Sequence, residues 1–377
     1  MKSPLNILSL SDLHIDANCT HIIRNLNDAL PDTDKMALID LLILAGDIFD
    51  TSLNLSDKPV LEIQRWMIRI LRLCKKWNII LRVIEGTPSH DRKQPGQFRL
   101  FNESIQANFK YFDGLHLEYI PELDINVLYL SDEYRGDTSQ TQKEVNTLLA
   151  EHQLTQVDFT IMHGAYKHQV PNVKHMQVHD HEFYLRITKK YIFIGHIHTA
   201  SQYNRILAQG SFDRLAHNEE SPKGFFHVKC YEGDTTNDVV TFCINHNAAI
   251  YKTVDVCNLL ADEVDNTLAD LVDIVTKANT DYSIPIHIRV VCEKNDKNEV
   301  LINTYRKVYH QIKWSIKIRI DKQEQPLGES IAPTVYKAAP ISSSTIVPMI
   351  RNRLNALGVE EALVIATLDI LNEIKNI

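Results

Sequence analysis

The sequence predicts an α/β fold built around a parallel sheet, and the segment from Asp40 to Asp50 is the clearest indication of it. Residues 41 to 45 are all apolar, which is typical of a strand buried on both faces, as in parallel sheets. Further apolar runs recur along the chain, and a helical pattern separates the second run from the third, with apolar residues at Ile63, Met67, Ile70 and Cys74. Open α/β sheets bind ligands at the carboxyl ends of their strands, so the chemistry is expected there.

Five predicted strands, at 5–10, 41–45, 78–85, 157–162 and 191–194, run into potential metal ligands. The ligand types at these strand ends are carboxylate and imidazole, at Asp12, His14, Asp47, His90, Asp91, His163, His196 and His198. Asp12 and His14 are two residues apart, so an extended backbone would point both side chains to one side. A lone aspartate or histidine in such a position is usually structural, but recurrence at successive strand ends favours a metal site.

The donor set indicates the chemistry. Mixed carboxylate and imidazole ligands suit a pair of divalent transition ions such as Mn²⁺, Fe²⁺ or Zn²⁺. Two such ions roughly 3.5–4 Å apart generate hydroxide at neutral pH and neutralise a phosphoryl group under attack. We therefore expect phosphoester hydrolysis, with one histidine left over to protonate the leaving oxygen.

Charge and composition narrow the function classes. The net charge of −8 argues against nucleic-acid binding through a broad basic face, although metal ions or a partner subunit can supply the phosphate contacts of a nuclease. The six cysteines form no C-x-x-C pair, which favours reduced thiols in a cytoplasmic protein. No apolar run approaches the roughly 18 residues of a membrane span, and the first residues lack signal-peptide features.

Two groups of polar residues remain open to two interpretations. Four histidines between residues 168 and 181 predict a solvated loop beside the site, with a weaker alternative that one of them contacts substrate. Arg214 and Lys223 are candidates to hold a phosphate group, but they can also pair with Glu219 and Glu220. The ion-pair interpretation is slightly favoured.

The pattern of predicted helices and strands changes after about residue 257. Residues 258–330 predict a small α/β unit without a ligand cluster, whose expected role is to shape or cover the site. A Pro-, Ala- and Ser-rich linker follows at 331–344, and two helices follow it, separated by Gly358. The last helix, 360–377, is apolar on more than one face, which favours a surface for another chain over burial within its own domain.

The order D-x-H, G-D, H-D, H and G-H-x-H, which covers residues 1 to about 250, resembles the calcineurin-like metallophosphoesterases. Within them the chain is similar to the SbcD-type nucleases, the counterparts of the meiotic recombination nuclease, through Gly46-Asp47-Ile48-Phe49-Asp50 and the run from Gly210 to Phe225. The resemblance implies a two-sheet sandwich flanked by helices at 1–257, a small α/β cap domain at 258–330, and a linker with partner-binding helices at 331–377.

The resemblance also implies roles for individual residues. One metal ion would be held by Asp12, His14 and His198, and a second by His163 and His196, with Asp47 bridging the two. His90 would be the catalytic acid that also contacts the scissile phosphate, and Asp50 would orient it. Substrate contact by Arg214 and Lys223 is a prediction from the residues themselves and is not part of this assignment.

The implied activity is that of a Mn²⁺-dependent DNA exonuclease and endonuclease in double-strand break processing, replication, recombination and repair. Such a subunit acts as a homodimer with an SbcC-type coiled-coil ATPase, which would dock on the terminal helices. The net negative charge of the chain is compatible with this assembly, because the ATPase subunit would contribute to DNA binding. The resemblance implies localisation in the bacterial cytoplasm, or in the host cytoplasm if the chain is phage-encoded.

One motif departs from the family pattern, G-N-H-D, whose asparagine is a ligand of the second metal. This chain has Gly86-Thr87-Pro88-Ser89-His90-Asp91, with two extra residues and Ser89 in the place of the asparagine. A serine hydroxyl is a shorter and poorer ligand than an amide carbonyl, so we expect the second metal to bind more weakly than the first. Calorimetric titration with Mn²⁺ tests this, and two equally tight sites would contradict it.

Two rival functions remain. The first is a metallophosphoesterase of small phosphodiesters or phosphoproteins, which would need neither a cap domain nor an apolar terminal helix. The second is a DNA-end-binding scaffold subunit with a weakened metal site. Retention of His90 argues against an inactive enzyme, and a His90→Ala variant that kept all biological function would favour the scaffold.

Overall fold

The computed structural model describes residues 4–16, 19–53, 59–170, 178–277, 279–280, 282–293 and 296–319, with the side chains of 296–298 excepted. All of them belong to one compact unit, Met1–Ile320. The predicted linker and terminal helices at 331–377 lie outside the described residues. So does His175.

The first of two large sheets has six strands, numbered here in chain order. In space they run β14 (Val239–Ile244), β13 (Gly224–Cys230), β1 (Leu5–Leu10), β2 (Leu41–Ala45), β3 (Ile80–Ile84) and β4 (Phe109–Phe112). Strands β1 to β4 are parallel, whereas β13 is antiparallel to both of its neighbours. The parallel strands thus end at the same edge.

The second sheet also has six strands. Their order is β11 (Ser201–Tyr203), β12 (Ile206–Ala208), β10 (Ile192–Gly195), β7 (Phe159–His163), β6 (Ile125–Leu130) and β5 (Leu115–Ile120). The four central strands are parallel, and the two edge strands are antiparallel to their neighbours. This sheet too has one edge at which parallel strands end.

Helices cover the outer face of each sheet. The first sheet carries α1 (Thr20–Ala29), α2 (Val60–Trp77) and α3 (Gln97–Ile105), which share one apolar cluster with its strands. The second sheet carries α4 (Thr138–Glu151) and α5 (His181–Ile187) in a separate cluster. The result is a four-layer arrangement in which two sheets are enclosed by helices.

The residues of β2 explain why the sheets stack. Leu42 and Leu44 pack against the helices, whereas Leu41, Ile43 and Ala45 pack against apolar residues of the second sheet such as Phe159. Alternate residues of a strand point to opposite faces, so a wholly apolar strand is stable only between two layers. The predicted burial of this strand on both faces, and the α/β class, are confirmed.

A smaller three-stranded parallel sheet follows, with β15 (Ile250–Asp255), β16 (Ile286–Cys292) and β17 (Lys313–Ile318). It packs with α6 (Ala261–Lys277) and α7 (Asp296–Val308) around an apolar cluster of its own. Its first strand lies N-terminal to residue 258, where the sequence predicts the cap domain to begin. Among the described residues, the helices lack the length and apolarity needed to cross a membrane.

In the segment from His168 to His181, the described residues 178–181 do not form the solvated loop that the polar composition predicts. Within it, β9 (Val178–His179) pairs with β8 (Ala165–Tyr166). The His179 side chain is buried, and its ring contacts Tyr166 and Tyr184 edge to face. These aromatic contacts come from residues outside the histidine-rich run, so the run itself gave no sign of them.

Burial lowers the pKa of His179 from 6.5 to about 4. The unfolded chain therefore binds this proton more readily, and the free energy of unfolding should fall as the pH drops from about 6.5 towards 4. We expect His179→Gln to remove up to about 3 kcal/mol of that pH dependence. Urea unfolding at several pH values measures it. His152→Gln, an exposed site at the end of α4, is the matched control and should behave as the parent chain does.

Candidate metal centre

The ends of strands from the two sheets lie in contact at one edge of the sandwich. A Cβ at Gly46 would lie 2.4 Å from His163 Nδ1, and one at Gly195 would lie 2.5 Å from the Ala45 carbonyl oxygen. Both distances are too short for a side chain, so glycine is required at both positions for the chains to approach. The carboxyl ends of β2, β7 and β10 are thereby brought together.

Four residues at this edge have left-handed backbone conformations, which residues other than glycine rarely adopt. They are Asp12, His14, Asp47 and His196, with φ of 50°, 47°, 49° and 103°. The extended backbone predicted for Asp12 and His14 is therefore wrong. Hydrogen bonds from Asp12 N to Gly46 O and from His14 N to Asp47 O, both 3.0 Å, hold the turn. Such strain is typical of functional sites, where the surrounding structure fixes it.

Asp12, His14 and His198 form the first ligand group, in which the donor atoms all lie within 4.8 Å of one another. Asp12 and His14 are buried. The Asp12 carboxylate also accepts hydrogen bonds of 3.0 and 3.1 Å from His196 N, which ties the end of β1 to the loop after β10. The resemblance assigns these same three residues to one metal ion.

Asp47, His163 and His196 form a second group by the same distance. Asp47 Oδ2 lies 3.2 Å from His163 Nε2 and 3.8 Å from His14 Nε2, so this carboxylate stands between the two groups. Its other oxygen accepts a 2.6 Å hydrogen bond from Thr87 N. Asp47 thus lies within 4 Å of a histidine from each group.

The buried histidines fit metal ions. The Nε2 atoms of His14 and His163 are buried and make no hydrogen bond of suitable geometry among the described residues, although that of His163 lies within ion-pair distance of Asp47. On the opposite side of each ring, Nδ1 lies 3.1 Å from Asp50 Oδ1 in His14 and 2.7 Å from the Ala45 carbonyl oxygen in His163. An acceptor at Nδ1 fixes the proton there and leaves the Nε2 lone pair free for a metal. A cation would satisfy both atoms, which are otherwise costly to bury.

The ionisation states agree with this assignment. Burial lowers the pKa of His14, so that its imidazole is neutral, as a ligand must be. Burial alone would raise the pKa of Asp47, but His163 and His14 hold it well below its usual value. The same pairing raises the pKa of His163 although burial opposes it. In the absence of a metal, a proton on His163 balances the Asp47 charge, and a cation would replace that proton.

His198 is held in place by Glu219 and Lys223, for which the sequence left an ion pair or a phosphate contact open. Its Nδ1 lies 2.8 Å from Glu219 Oε1, and Lys223 Nζ lies 3.0 Å from Glu219 Oε2. The buried Lys223 ammonium also donates to the His198 carbonyl oxygen at 2.8 Å. These contacts are those of the ion-pair alternative, and the substrate-binding role of Lys223 stays a prediction. Arg214 Nη1 donates to the Ala249 carbonyl oxygen at 3.1 Å.

Glu219→Gln should weaken the first metal site selectively. The change removes the charged partner of His198 and leaves Lys223 buried with a neutral amide. Loss of such an outer partner typically weakens metal affinity about 10- to 100-fold. Calorimetric titration with Mn²⁺ measures the affinity, and thermal unfolding of the metal-free protein separates a fold defect from a ligand defect. The exposed neighbour in Glu220→Gln is the control. Equal affinities for both variants would contradict the role of Glu219.

His90 lies beside the first group. Its Nδ1 is 2.8 Å from the Asp50 carbonyl oxygen, and its ring centroid is 5.0 Å from that of His14. Asp50 Oδ1 lies 3.1 Å from His14 Nδ1 and 3.7 Å from His90 Nδ1, so one carboxylate faces both rings. The half-exposed His90 ring is therefore fixed through Nδ1.

Asp91 has a structural part in the same loop. Its carboxylate accepts hydrogen bonds from Phe49 N at 2.8 Å and Gly86 N at 2.7 Å, which joins the loops after β2 and β3. Burial raises its pKa to about 8.

Ser89 is exposed, and its carbonyl oxygen accepts a hydrogen bond from Arg92 Nε at 3.0 Å. The hydroxyl that faces the second group belongs to Thr87, whose Oγ1 lies 3.1 Å from Asp47 Oδ2 and 3.4 Å from His196 Nδ1. The ligand role predicted for Ser89 has no contact in its favour among the described residues. Thr87 occupies the place for which Ser89 was considered.

Asp132 was not anticipated. Its Oδ2 lies 3.3 Å from His196 Nδ1 and 3.2 Å from Thr87 Oγ1. A signal was present in the sequence, because Asp132 follows the apolar-rich strand β6 just as Asp12 and Asp47 follow β1 and β2.

Comparison with known proteins adds little. No family model and no curated protein matches the chain. One matching solved structure aligns with 64% of this chain and 99% of its own, at 10% identity and a TM-score of 0.40. A likeness of that size supports no argument. The fold and the site together define an α/β protein with candidate ligands for two neighbouring metal ions.

Proposed function

We propose that the chain is a metal-dependent phosphodiesterase that hydrolyses DNA. One observation carries the proposal: two groups of three ligands lie side by side at the carboxyl ends of the strands, with the Asp47 carboxylate between them. Mixed nitrogen and oxygen donors suit Mn²⁺, Fe²⁺ or Zn²⁺, and Mn²⁺ is proposed from the resemblance to the SbcD-type nucleases.

When bound, two divalent cations lower the pKa of water and offset the charge of a phosphoryl group under attack. The protein residues position and protonate. His14, His163 and His198 each have Nδ1 against a fixed oxygen, which holds their rings with Nε2 towards the centre. Asp12 and Asp47 supply the negative charge that a cation needs in a buried site.

His90 is the proposed proton donor to the leaving oxygen. Its Nδ1 is held by the Asp50 carbonyl oxygen, so the protonated ring offers its Nε2 proton to the substrate side. The Asp50 carboxylate lies on the same side of the ring, with Oδ1 3.7 Å from His90 Nδ1. The same carboxylate faces His14, which links the acid to the first ligand group.

A cavity beside the centre supports a polymeric substrate. Its lining includes His14 and Asp50, Arg214, and Tyr251 and Lys313 of the small sheet. A phosphate at the centre would leave room for a neighbouring nucleotide along this cavity. The homodimer and the coiled-coil ATPase partner are further proposals, drawn from the resemblance alone.

The decisive experiment is a Mn²⁺-dependent nuclease assay on end-labelled duplex DNA, with Asp47→Asn and His90→Ala as controls. A small chromogenic phosphodiester, assayed in parallel, separates the first rival function. Cleavage of DNA that both substitutions abolish supports the proposal. Hydrolysis of the small substrate alone would favour a general phosphodiesterase, and unchanged cleavage in both variants would contradict the assigned centre.

A further inference from the structure

The second ligand group, as the resemblance implies it, lacks the amide ligand of the family motif. Ser89, which replaces that asparagine, is exposed. The hydroxyl of Thr87 instead lies within 3.4 Å of a donor atom from each of three residues, Asp47, His196 and Asp132. A replacement ligand is therefore present two residues earlier in the same loop.

The separations are those of atoms around one cation. Ligands about 2.0–2.2 Å from a metal lie roughly 3.0–3.5 Å from one another in octahedral or tetrahedral arrangements. Thr87 Oγ1 is 3.1 Å from Asp47 Oδ2 and 3.4 Å from His196 Nδ1, and Asp47 Oδ2 is 3.2 Å from His163 Nε2. The hydroxyl oxygen is thus spaced from the neighbouring ligand atoms as a further ligand of the same cation would be.

A hydroxyl group that binds a cation must direct its proton elsewhere. Two carboxylates are within reach of Thr87 Oγ1, but Asp47 already faces Thr87 N and His163. Asp132 Oδ2, at 3.2 Å, is the remaining acceptor. Its side chain is only 10% exposed, and Glu133 N donates to its other oxygen at 2.9 Å, which fixes the carboxylate. Threonine and serine hydroxyls bind Mg²⁺ in phosphate-binding loops, so the ligand type has precedent.

We propose that Thr87 Oγ1 is a ligand of the second cation in place of the missing amide. Asp132 is the positioning residue: it accepts a hydrogen bond from the Thr87 hydroxyl, so that an oxygen lone pair faces the metal. This inference rests on the proposed two-metal function. It adds Thr87 and Asp132 to the residues that determine occupancy of the second site, and it removes Ser89 from them.

Calorimetric titration with Mn²⁺ tests the inference independently of catalysis. Thr87→Val keeps the shape of the side chain and the backbone N–H to Asp47, but it removes the hydroxyl. Asp132→Asn keeps the size and removes the charge. Both should weaken the second site about 10- to 100-fold with the first site unchanged, whereas Thr87→Ser should restore binding. Unchanged first-site binding shows that the variants are folded.

Ser89→Ala is the matched control from the same loop and should bind both ions as the parent chain does. A second site unaffected by Thr87→Val, or weakened by Ser89→Ala, would overturn the inference and leave the two-metal proposal standing. A parent chain that binds no Mn²⁺ would instead overturn the proposed function. The electron paramagnetic resonance spectrum provides a second readout, because the coupled Mn²⁺ pair of the parent chain, loaded with about two equivalents of Mn²⁺, should become an uncoupled single-ion signal in Thr87→Val at the same loading.

Discussion

Asp47→Asn should reduce Mn²⁺-dependent hydrolysis of DNA by about 10³-fold or more, because loss of both cations removes several kcal/mol of transition-state stabilisation. The carboxylate lies 3.2 Å from His163 Nε2 and 3.8 Å from His14 Nε2, so a single change affects both ligand groups. Asparagine tolerates the left-handed backbone at this position, where φ is 49°, so the fold should persist. Rates on labelled duplex and Mn²⁺ binding by calorimetry measure the effect.

Asp40→Asn is the matched control for this change. Asp40 is buried at the other end of β2, where its Oδ2 accepts a 2.9 Å hydrogen bond from Asn6 N. Its replacement should lower the free energy of unfolding by roughly 1–3 kcal/mol but leave metal binding and hydrolysis intact. If Asp47→Asn retained two tight Mn²⁺ sites, the placement of Asp47 between two cations would be wrong.

His90→Ala should lower the hydrolytic rate by about 10²–10⁴-fold with metal binding preserved, since proton donation contributes that much to such reactions. His90 belongs to neither of the two ligand groups assigned to the cations, although it forms a third candidate group with His14 and Asp50. Its Nδ1 contacts a backbone carbonyl oxygen. The separation of rate from affinity distinguishes an acid from a ligand. Single-turnover cleavage and Mn²⁺ calorimetry on the same preparation supply both quantities.

Substrates with different leaving groups sharpen the test of His90. A leaving group of low pKa needs no proton, so a nitrophenyl phosphodiester should be hydrolysed almost as fast by His90→Ala as by the parent chain. His152→Ala, at an exposed position, should leave both reactions unchanged. An equal loss on both substrates would indicate that His90 acts by binding the phosphate and not by protonation.

Much of the site was predictable from local pattern. Apolar runs that end at Gly46 or Gly195 predict buried strands and sharp turns, and ligands beyond them converge because parallel strands share an edge. Asp12, Asp47, His163 and His198 do converge, as the pattern requires. The wholly apolar strand β2 likewise predicts a layer on each side of it.

Other features depend on contacts between distant parts of the chain, which pattern alone does not determine. The left-handed conformations of Asp12 and His14 are fixed by hydrogen bonds to the carbonyl groups of residues 46 and 47. The local sequence does not contain these bonds, and the extended backbone predicted from it is wrong. The partnership of Glu219 with His198 joins residues from separate loops. Within the motif at 86–91, spacing from the family pattern pointed to Ser89, whereas the path of the loop places Thr87 at the centre.

The most direct test of the two-metal centre is an anomalous-scattering map from crystals grown with Mn²⁺. The geometry predicts two peaks roughly 3.5–4 Å apart, as in other two-metal sites. One peak should contact Asp12, His14 and His198, and the other Asp47, His163 and His196. A map without peaks at these side chains, or with a single ion that leaves His14 and His163 Nε2 unbound, would contradict the account.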